Sequence, residues 1–161
     1  MDTTLENALR LRSEGKLEES RDLLIGLLSN DPRNPALCYQ CGWACDCLGL
    51  EKEAVPFYEN AIRYGLSGAD LRGAYLGLGS TLRCLGRYDE SLKYLQEGIR
   101  HFPEDRALQV FLSLTLYNLN QNNEATRILL LNLIETTGDQ NIRSYERALR
   151  FYADKLDQKW D

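Results

Sequence analysis

The chain has 161 residues, a formal net charge of −5 and 43% hydrophobic residues. The apolar content is too high for a disordered chain, and the acidic balance argues against nucleic acid or an anionic membrane as the main partner. The sequence contains no run of 18 apolar residues, so no membrane-spanning helix is expected. The first 15 residues predict an amphipathic helix and not a secretion signal. We therefore expect a cytoplasmic protein with reduced cysteines.

Helices are predicted in pairs along most of the chain, because apolar residues recur at spacings of three and four. The first pair covers about residues 3–13 and 18–29, and the second about 35–48 and 52–64. The third covers about 68–84 and 89–101, and the fourth about 105–119 and 123–136. Ser67 is expected to cap the first helix of the third pair, with Asp70 as the acid three residues later.

A ninth helix is predicted at about residues 140–158, followed by Trp160. Its apolar stripe is expected to cover the open end of the fourth pair, since the exposed end of a helical stack needs a cover. The stripe consists of Ile142, Tyr145, Leu149, Tyr152 and Leu156.

Each pair has the same residue pattern around the corner between its two helices. A residue that tolerates positive φ stands at each corner, at intervals of 34, 37 and 34 residues: Gly15, Gly49, Gly86 and Asn120. Small residues seven positions before each corner and five after it would let the two helices approach closely: Ala8, Gly42, Gly79 and Ser113, then Ser20, Ala54, Ser91 and Ala125. Large residues four positions further on should fill the space between pairs: Leu24, Tyr58, Leu95 and Leu129.

This pattern resembles the tetratricopeptide repeat, a family of helix pairs with a period of about 34 residues. The resemblance implies an all-α, right-handed superhelical solenoid of four helix pairs plus a C-terminal capping helix. The repeats would cover about residues 1–34, 35–71, 72–105 and 106–139, and the capping helix and tail residues 140–161.

The resemblance also implies a binding groove. In this family the first helix of each pair lines the concave side, where an extended peptide or a helix of a partner protein usually binds. The corresponding positions here are Leu9, Tyr39, Trp43, Asp46, Cys47, Leu76, Ser80, Arg83, Val110, Leu114 and Tyr117. Gly73 and Gly77 stand where members that grip the C-terminal carboxylate of a chaperone have Lys, Arg or Asn, so we expect an apolar-faced partner segment instead.

The predicted function is a protein-interaction module that binds a peptide or helix of another protein, without catalysis and without a cofactor. The alternative is a homo-oligomeric scaffold, such as a homodimer, in which the chain itself occupies the groove. The single histidine, His101, supports no catalytic constellation, and no glycine-rich phosphate loop is present, so an enzyme is not expected.

A cluster of cysteines allows a third interpretation. Four of the five cysteines fall within ten residues, at Cys38, Cys41, Cys45 and Cys47. The first three share a helical face, where three thiolates could ligate a soft metal ion. Core packing is favoured, because the repeat buries apolar side chains at these positions and a free cysteine behaves as a small hydrophobe. Cys47 and Cys84 stand on the groove side and are the better candidates for reactive thiols.

Overall fold

The computed structural model describes residues 4–160, which form ten helices and no strand. The helices are α1 Leu5–Ser13, α2 Leu17–Asn30, α3 Pro35–Cys47, α4 Glu51–Arg63, α5 Gly68–Cys84, α6 Tyr88–His101, α7 Arg106–Asn118, α8 Asn122–Thr136, α9 Gln140–Ser144 and α10 Glu146–Ala153. The first eight match the predicted pairs. The predicted start of the first helix at residue 3 lies outside the described residues, as do the outermost residues of the first repeat and of the tail.

The helix pairs are stacked in a row. Helices α1 to α7 each pack against the next helix in the chain, and α5 also packs against α3 and α7. This arrangement confirms the all-α solenoid, in which each pair contacts mainly its neighbours. The residue boundaries of the four repeats stay a prediction.

The corners have the conformation that the sequence predicts. The φ angles are 81° at Gly15, 69° at Gly49, 74° at Gly86 and 60° at Asn120. In each corner the N–H that follows this residue donates to the carbonyl five residues back, which satisfies a carbonyl that the ending helix leaves free. These bonds are Lys16 to Leu11, Leu50 to Cys45, Arg87 to Leu82 and Gln121 to Leu116.

The small residues bring the two helices of a pair together. Ser20 and Ser91 are fully buried, and each hydroxyl donates to the carbonyl of the small residue on the facing helix. The distances are 2.7 Å from Ser20 to Ala8 and 2.7 Å from Ser91 to Gly79. Such bonds satisfy buried hydroxyls at the closest approach of the helices.

The prediction of a single C-terminal helix is wrong, because the segment is broken at Tyr145 into α9 and α10. The predicted apolar stripe is only partly buried, since Ile142 and Leu149 are half-buried and the other three residues of the stripe are exposed. Tyr145 is 66% exposed and Tyr152 47% exposed, whereas Ala153 is 3% exposed. Helix α10 packs on α8, where Arg150 pairs with Glu135 at 3.1 Å.

The fourth pair is therefore only partly covered. Leu129 and Leu133 of α8 remain 41% and 44% exposed, although Leu129 was expected to fill the space beyond its pair. Trp160 folds back so that its ring lies 5.6 Å from that of Tyr152, yet it is 54% exposed.

The predicted capping bond of Ser67 is also absent. Ser67 stands at the N-cap of α5, but its side chain accepts no backbone hydrogen bond. The next residue, Gly68, has a φ of 61°, which is not a helical value, so α5 begins with an irregular residue next to the expected cap. By contrast, Asn34 and Asp105 do cap α3 and α7.

Candidate functional site

The first helices of the four pairs, α1, α3, α5 and α7, form one surface, which we call the first-helix face. Side-chain hydrogen bonds join each of these helices to the next. The bonds run from Arg12 Nη1 to Gln40 Oε1 at 2.8 Å, from Thr81 Oγ1 to Asp46 Oδ1 at 3.0 Å, and from Arg83 Nη1 to Asn118 Oδ1 at 3.2 Å. The face is therefore continuous along the stack.

The predicted binding residues differ in how accessible they are on this face. Trp43, Leu114 and Tyr117 are exposed by 41%, 38% and 66%, which is high for large apolar side chains, and Cys47 is exposed as well. Tyr39 is buried at 8% exposure. The remaining positions are half-buried: Leu9, Asp46, Leu76, Ser80, Arg83 and Val110.

Four of the predicted residues meet at one hollow between α3 and α5, which we call the α3–α5 pocket. It encloses about 280 Å³. The predicted residues in its wall are Tyr39, Trp43, Asp46 and Leu76, and the wall also contains Tyr58, Arg72, Gly73 and Gly77. The other predicted residues lie outside this pocket, with Leu9 on α1 and Val110, Leu114 and Tyr117 on α7.

Two tyrosines reach this pocket because glycines make room for them. Tyr58 comes from α4 and is 2% exposed. A Cβ on Gly42 of α3 would lie 2.9 Å from its Cδ1, and a Cβ on Gly77 of α5 would lie 2.7 Å from its hydroxyl oxygen. In the same way, a Cβ on Gly73 would lie 3.0 Å from Cζ of Tyr39. Real side chains almost never approach so closely, so these glycines determine the depth of the pocket.

The carboxylate of Asp46 lies in the pocket wall with only hydroxyl partners. Its Oδ1 accepts from Thr81 at 3.0 Å and its Oδ2 accepts from Tyr58 at 3.3 Å. Burial raises the pKa of Asp46, although the two hydrogen bonds act in the opposite direction. Burial and the nearby Asp46 raise the pKa of Tyr58, so its phenol remains a donor. Among residues 4–160, no arginine or lysine lies within ion-pair distance of Asp46.

The two arginines beside the pocket have partners elsewhere. The guanidinium of Arg12 lies 3.8 Å above the ring of Trp43, a cation–π contact, and also donates to Gln40. Arg72 of the pocket wall pairs with Asp105 at 3.1 Å. The pocket therefore presents a carboxylate and aromatic rings, while the nearby positive charges are engaged.

The cysteines of α3 that suggested a metal site are part of the core. Cys41 packs with Ala8 and Leu24, whereas Cys38 and Cys45 belong to a different apolar cluster. Burial raises the pKa of all three thiols, that of Cys41 to about 12, which disfavours the thiolate that a metal or a reaction would need. Cys47 and Cys84 are exposed free thiols. Over residues 4–160, no three Cys, His or carboxylate groups are arranged to hold a metal ion.

No helix in the described part of the chain is long and apolar enough to cross a membrane.

A family model for the tetratricopeptide repeat matches residues 35–156 of the sequence. The chain belongs to the tetratricopeptide repeat family. Members of this family are protein-interaction repeats. No match was found among curated proteins.

Solved structures of tetratricopeptide repeat proteins have the same fold. YrrB, described as a repeat protein with an unusual peptide-binding site, is 22% identical, with a TM-score of 0.73 over 96% of this chain and 77% of that chain. MamA from residue 41 onward, from Desulfovibrio magneticus RS-1, is 18% identical, with a TM-score of 0.74 over 94% and 85% of the two chains. A further MamA structure is 18% identical, with a TM-score of 0.75 over 92% and 88%. At these identities the likeness concerns the fold alone.

Sequence reasoning missed half of the pocket wall. Tyr58 stands at a position where a tetratricopeptide repeat places a core residue on its second helix, so it was not expected to reach the groove. Gly73 and Gly77 were interpreted as positions that lack a basic side chain and as glycines that ease contact between helices, not as part of a pocket wall. The signal that could have revealed the pocket is the combination of a large phenol at a core position with glycines at Gly42 and Gly77 on the two helices that flank it.

Proposed function

We propose that the chain binds a segment of a partner protein on the first-helix face, without catalysis. The observation that supports this proposal best is the exposure of Trp43, Leu114 and Tyr117 along one continuous face. Large apolar side chains exposed together mark interaction sites, and aromatic residues are the most frequent energetic anchors of such sites. An extended peptide or an amphipathic helix with an apolar side matches this lining.

Affinity capture tests the proposal. The wild-type chain and a Trp43→Ala/Tyr117→Ala double variant are used to capture proteins from native cytosol, followed by mass spectrometry. Buried aromatic anchors commonly contribute more than about 1 kcal/mol each, so the double variant should lose its partner at least about tenfold. Tyr145→Ala is the matched control, because Tyr145 and Tyr117 are both 66% exposed but Tyr145 lies outside the first-helix face.

The outcomes separate the proposal from its alternative. A partner retained by the wild type and by Tyr145→Ala, but lost by the double variant, supports binding on this face. Equal capture by the wild type and both variants would refute the assignment of the face. Light scattering addresses the homo-oligomeric scaffold: a dimer that dissociates in the double variant would mean that a second copy occupies the face.

A further inference from the structure

The carboxylate of Asp46 has unused capacity to accept hydrogen bonds. Each of its oxygens accepts one hydroxyl, from Thr81 and Tyr58, and a carboxylate oxygen can accept more than one. A half-buried carboxylate is most favourable next to a cation, yet among residues 4–160 no cationic side chain pairs with it. Arg12 and Arg72, which lie beside the pocket, are engaged with Trp43 and Asp105.

The groups around Asp46 also suit a cation. The rings of Tyr39, Trp43 and Tyr58 surround the pocket, and the ring centroids of Tyr39 lie 5.9 Å from Trp43 and 6.2 Å from Tyr58. Aromatic faces attract ammonium and guanidinium groups. Within the part of the chain that the structure describes, the hydroxyl of Tyr39 makes no hydrogen bond to another residue, and its oxygen is open to solvent. Its oxygen can therefore accept from a donor that enters the pocket.

The size of the pocket suits a single long side chain. Its volume of about 280 Å³ lies at the lower edge of the range of about 300–1,000 Å³ that is typical of small-molecule sites. The pocket opens on the first-helix face beside Trp43 and Leu76, so a segment lying along that face can insert one side chain.

We propose that the α3–α5 pocket binds a lysine or arginine side chain of the partner segment, whose cationic group contacts Asp46 and the rings of Tyr39, Trp43 and Tyr58. This inference rests on the proposed function, since it names one residue of the segment that the first-helix face binds. The partner segment then combines an apolar side with one basic residue at a defined position.

The test begins with selection of random peptides displayed on phage against the full chain. Enriched peptides are synthesised and their dissociation constants measured for the wild type and for Trp43→Ala. In each peptide the conserved basic residue is then replaced by norleucine, which has a similar length and no charge. Both peptide forms are measured against Asp46→Asn, an isosteric change that keeps an oxygen acceptor for Thr81 or Tyr58.

For the wild type, we expect replacement of the basic residue by norleucine to weaken binding about tenfold, because the charge-assisted contact with Asp46 is lost. For Asp46→Asn, that contact is already absent, so the same replacement should change the affinity very little. Asp89→Asn is the matched control: it removes one negative charge from the exposed start of α6, outside the pocket, and should leave the tenfold difference intact. This control separates a contact with Asp46 from a general attraction to an acidic protein.

The results distinguish the two proposals. If no peptide is enriched, or if enriched peptides bind Trp43→Ala unchanged, the proposed function fails and the pocket inference fails with it. If peptides depend on Trp43 but lack a conserved basic residue, or if Asp46→Asn keeps the preference for it, the pocket inference alone is overturned. Loss of the preference only in Asp46→Asn supports it.

Discussion

Replacing Gly73 with alanine tests how tightly Tyr39 is packed in the pocket wall. The added Cβ would lie 3.0 Å from Cζ of Tyr39 and closer still to its hydroxyl oxygen. The ring has little room to move, because Tyr39 is 8% exposed and lies against the rings of Trp43 and Tyr58. Overpacking of this kind costs about 1–3 kcal/mol, and alanine in place of a helical glycine returns about 0.5–1 kcal/mol. We expect a net loss of about 1 kcal/mol in the free energy of unfolding.

Urea denaturation followed by circular dichroism measures this loss. Gly26→Ala in α2 is the matched control, since nothing lies within 4 Å of its added Cβ, and it should stabilise the chain by about 0.5–1 kcal/mol. Tyr39→Phe removes the hydroxyl oxygen that is nearest to Gly73, so Gly73→Ala in that background should recover most of the loss. The packing argument is refuted if Gly73→Ala stabilises the wild-type chain as much as Gly26→Ala does.

Three further predictions follow from burial. In the native protein, the exposed thiols of Cys47 and Cys84 should react quickly with a thiol reagent and the three buried thiols of α3 slowly, with all five reacting after unfolding; five fast thiols in the native state would contradict the core assignment. Burial raises the folded-state pKa of Asp46, which means that its protonated form favours folding. This contribution to the free energy of unfolding is lost as the pH rises from about 4, the pKa of an unfolded aspartate, through the folded-state pKa. Asp46→Asn should therefore gain stability relative to the wild type between pH 4 and pH 7, and a constant difference in urea midpoints would refute the shift. Deleting residues 140–161 should lower the melting temperature by a few degrees, since α10 packs on α8, and an unchanged melt would show that this contact contributes nothing.

The corners and the helices could be predicted because local sequence determines them. A corner needs a residue at positive φ, and Asn120 adopts a φ of 60° at the one corner without glycine. The repeated spacing then places the small residues opposite each other, as the hydrogen bond from Ser91 to Gly79 shows. These features depend on residues that are close in the sequence, so the pattern indicates them directly.

The C-terminal segment was mispredicted because its apolar spacing fits one helix while its packing does not. The buried residue of α10 is Ala153, and Arg150 pairs with Glu135 of α8 beside it. Contacts with α8 thus decide which side of the segment faces inward, and periodicity alone does not include them.

The pocket depends on two departures from the repeat that meet at one junction. Nine residues after its corner, the second pair has Tyr58, whereas the other three pairs have leucine. Nine residues before its corner, the third pair has Gly77, whereas the fourth pair has Phe111. Between the third and fourth pairs, Leu95 and Phe111 stand at the corresponding positions, and both belong to the apolar core there. A phenol facing a glycine therefore opens a polar hollow where a leucine facing a phenylalanine fills the space.

The charges on the first-helix face point to the same junction. Three positions before their corners, the first three pairs have Arg12, Asp46 and Arg83, so an acid lies between two bases in register. If attraction within the chain determined their partners, these side chains would pair with each other. Instead Arg12 stacks on Trp43 and Arg83 donates to Asn118, which leaves the charge of Asp46 uncompensated in the wall of the pocket. A cation supplied by a partner restores that balance in the α3–α5 pocket, where aromatic rings surround this carboxylate.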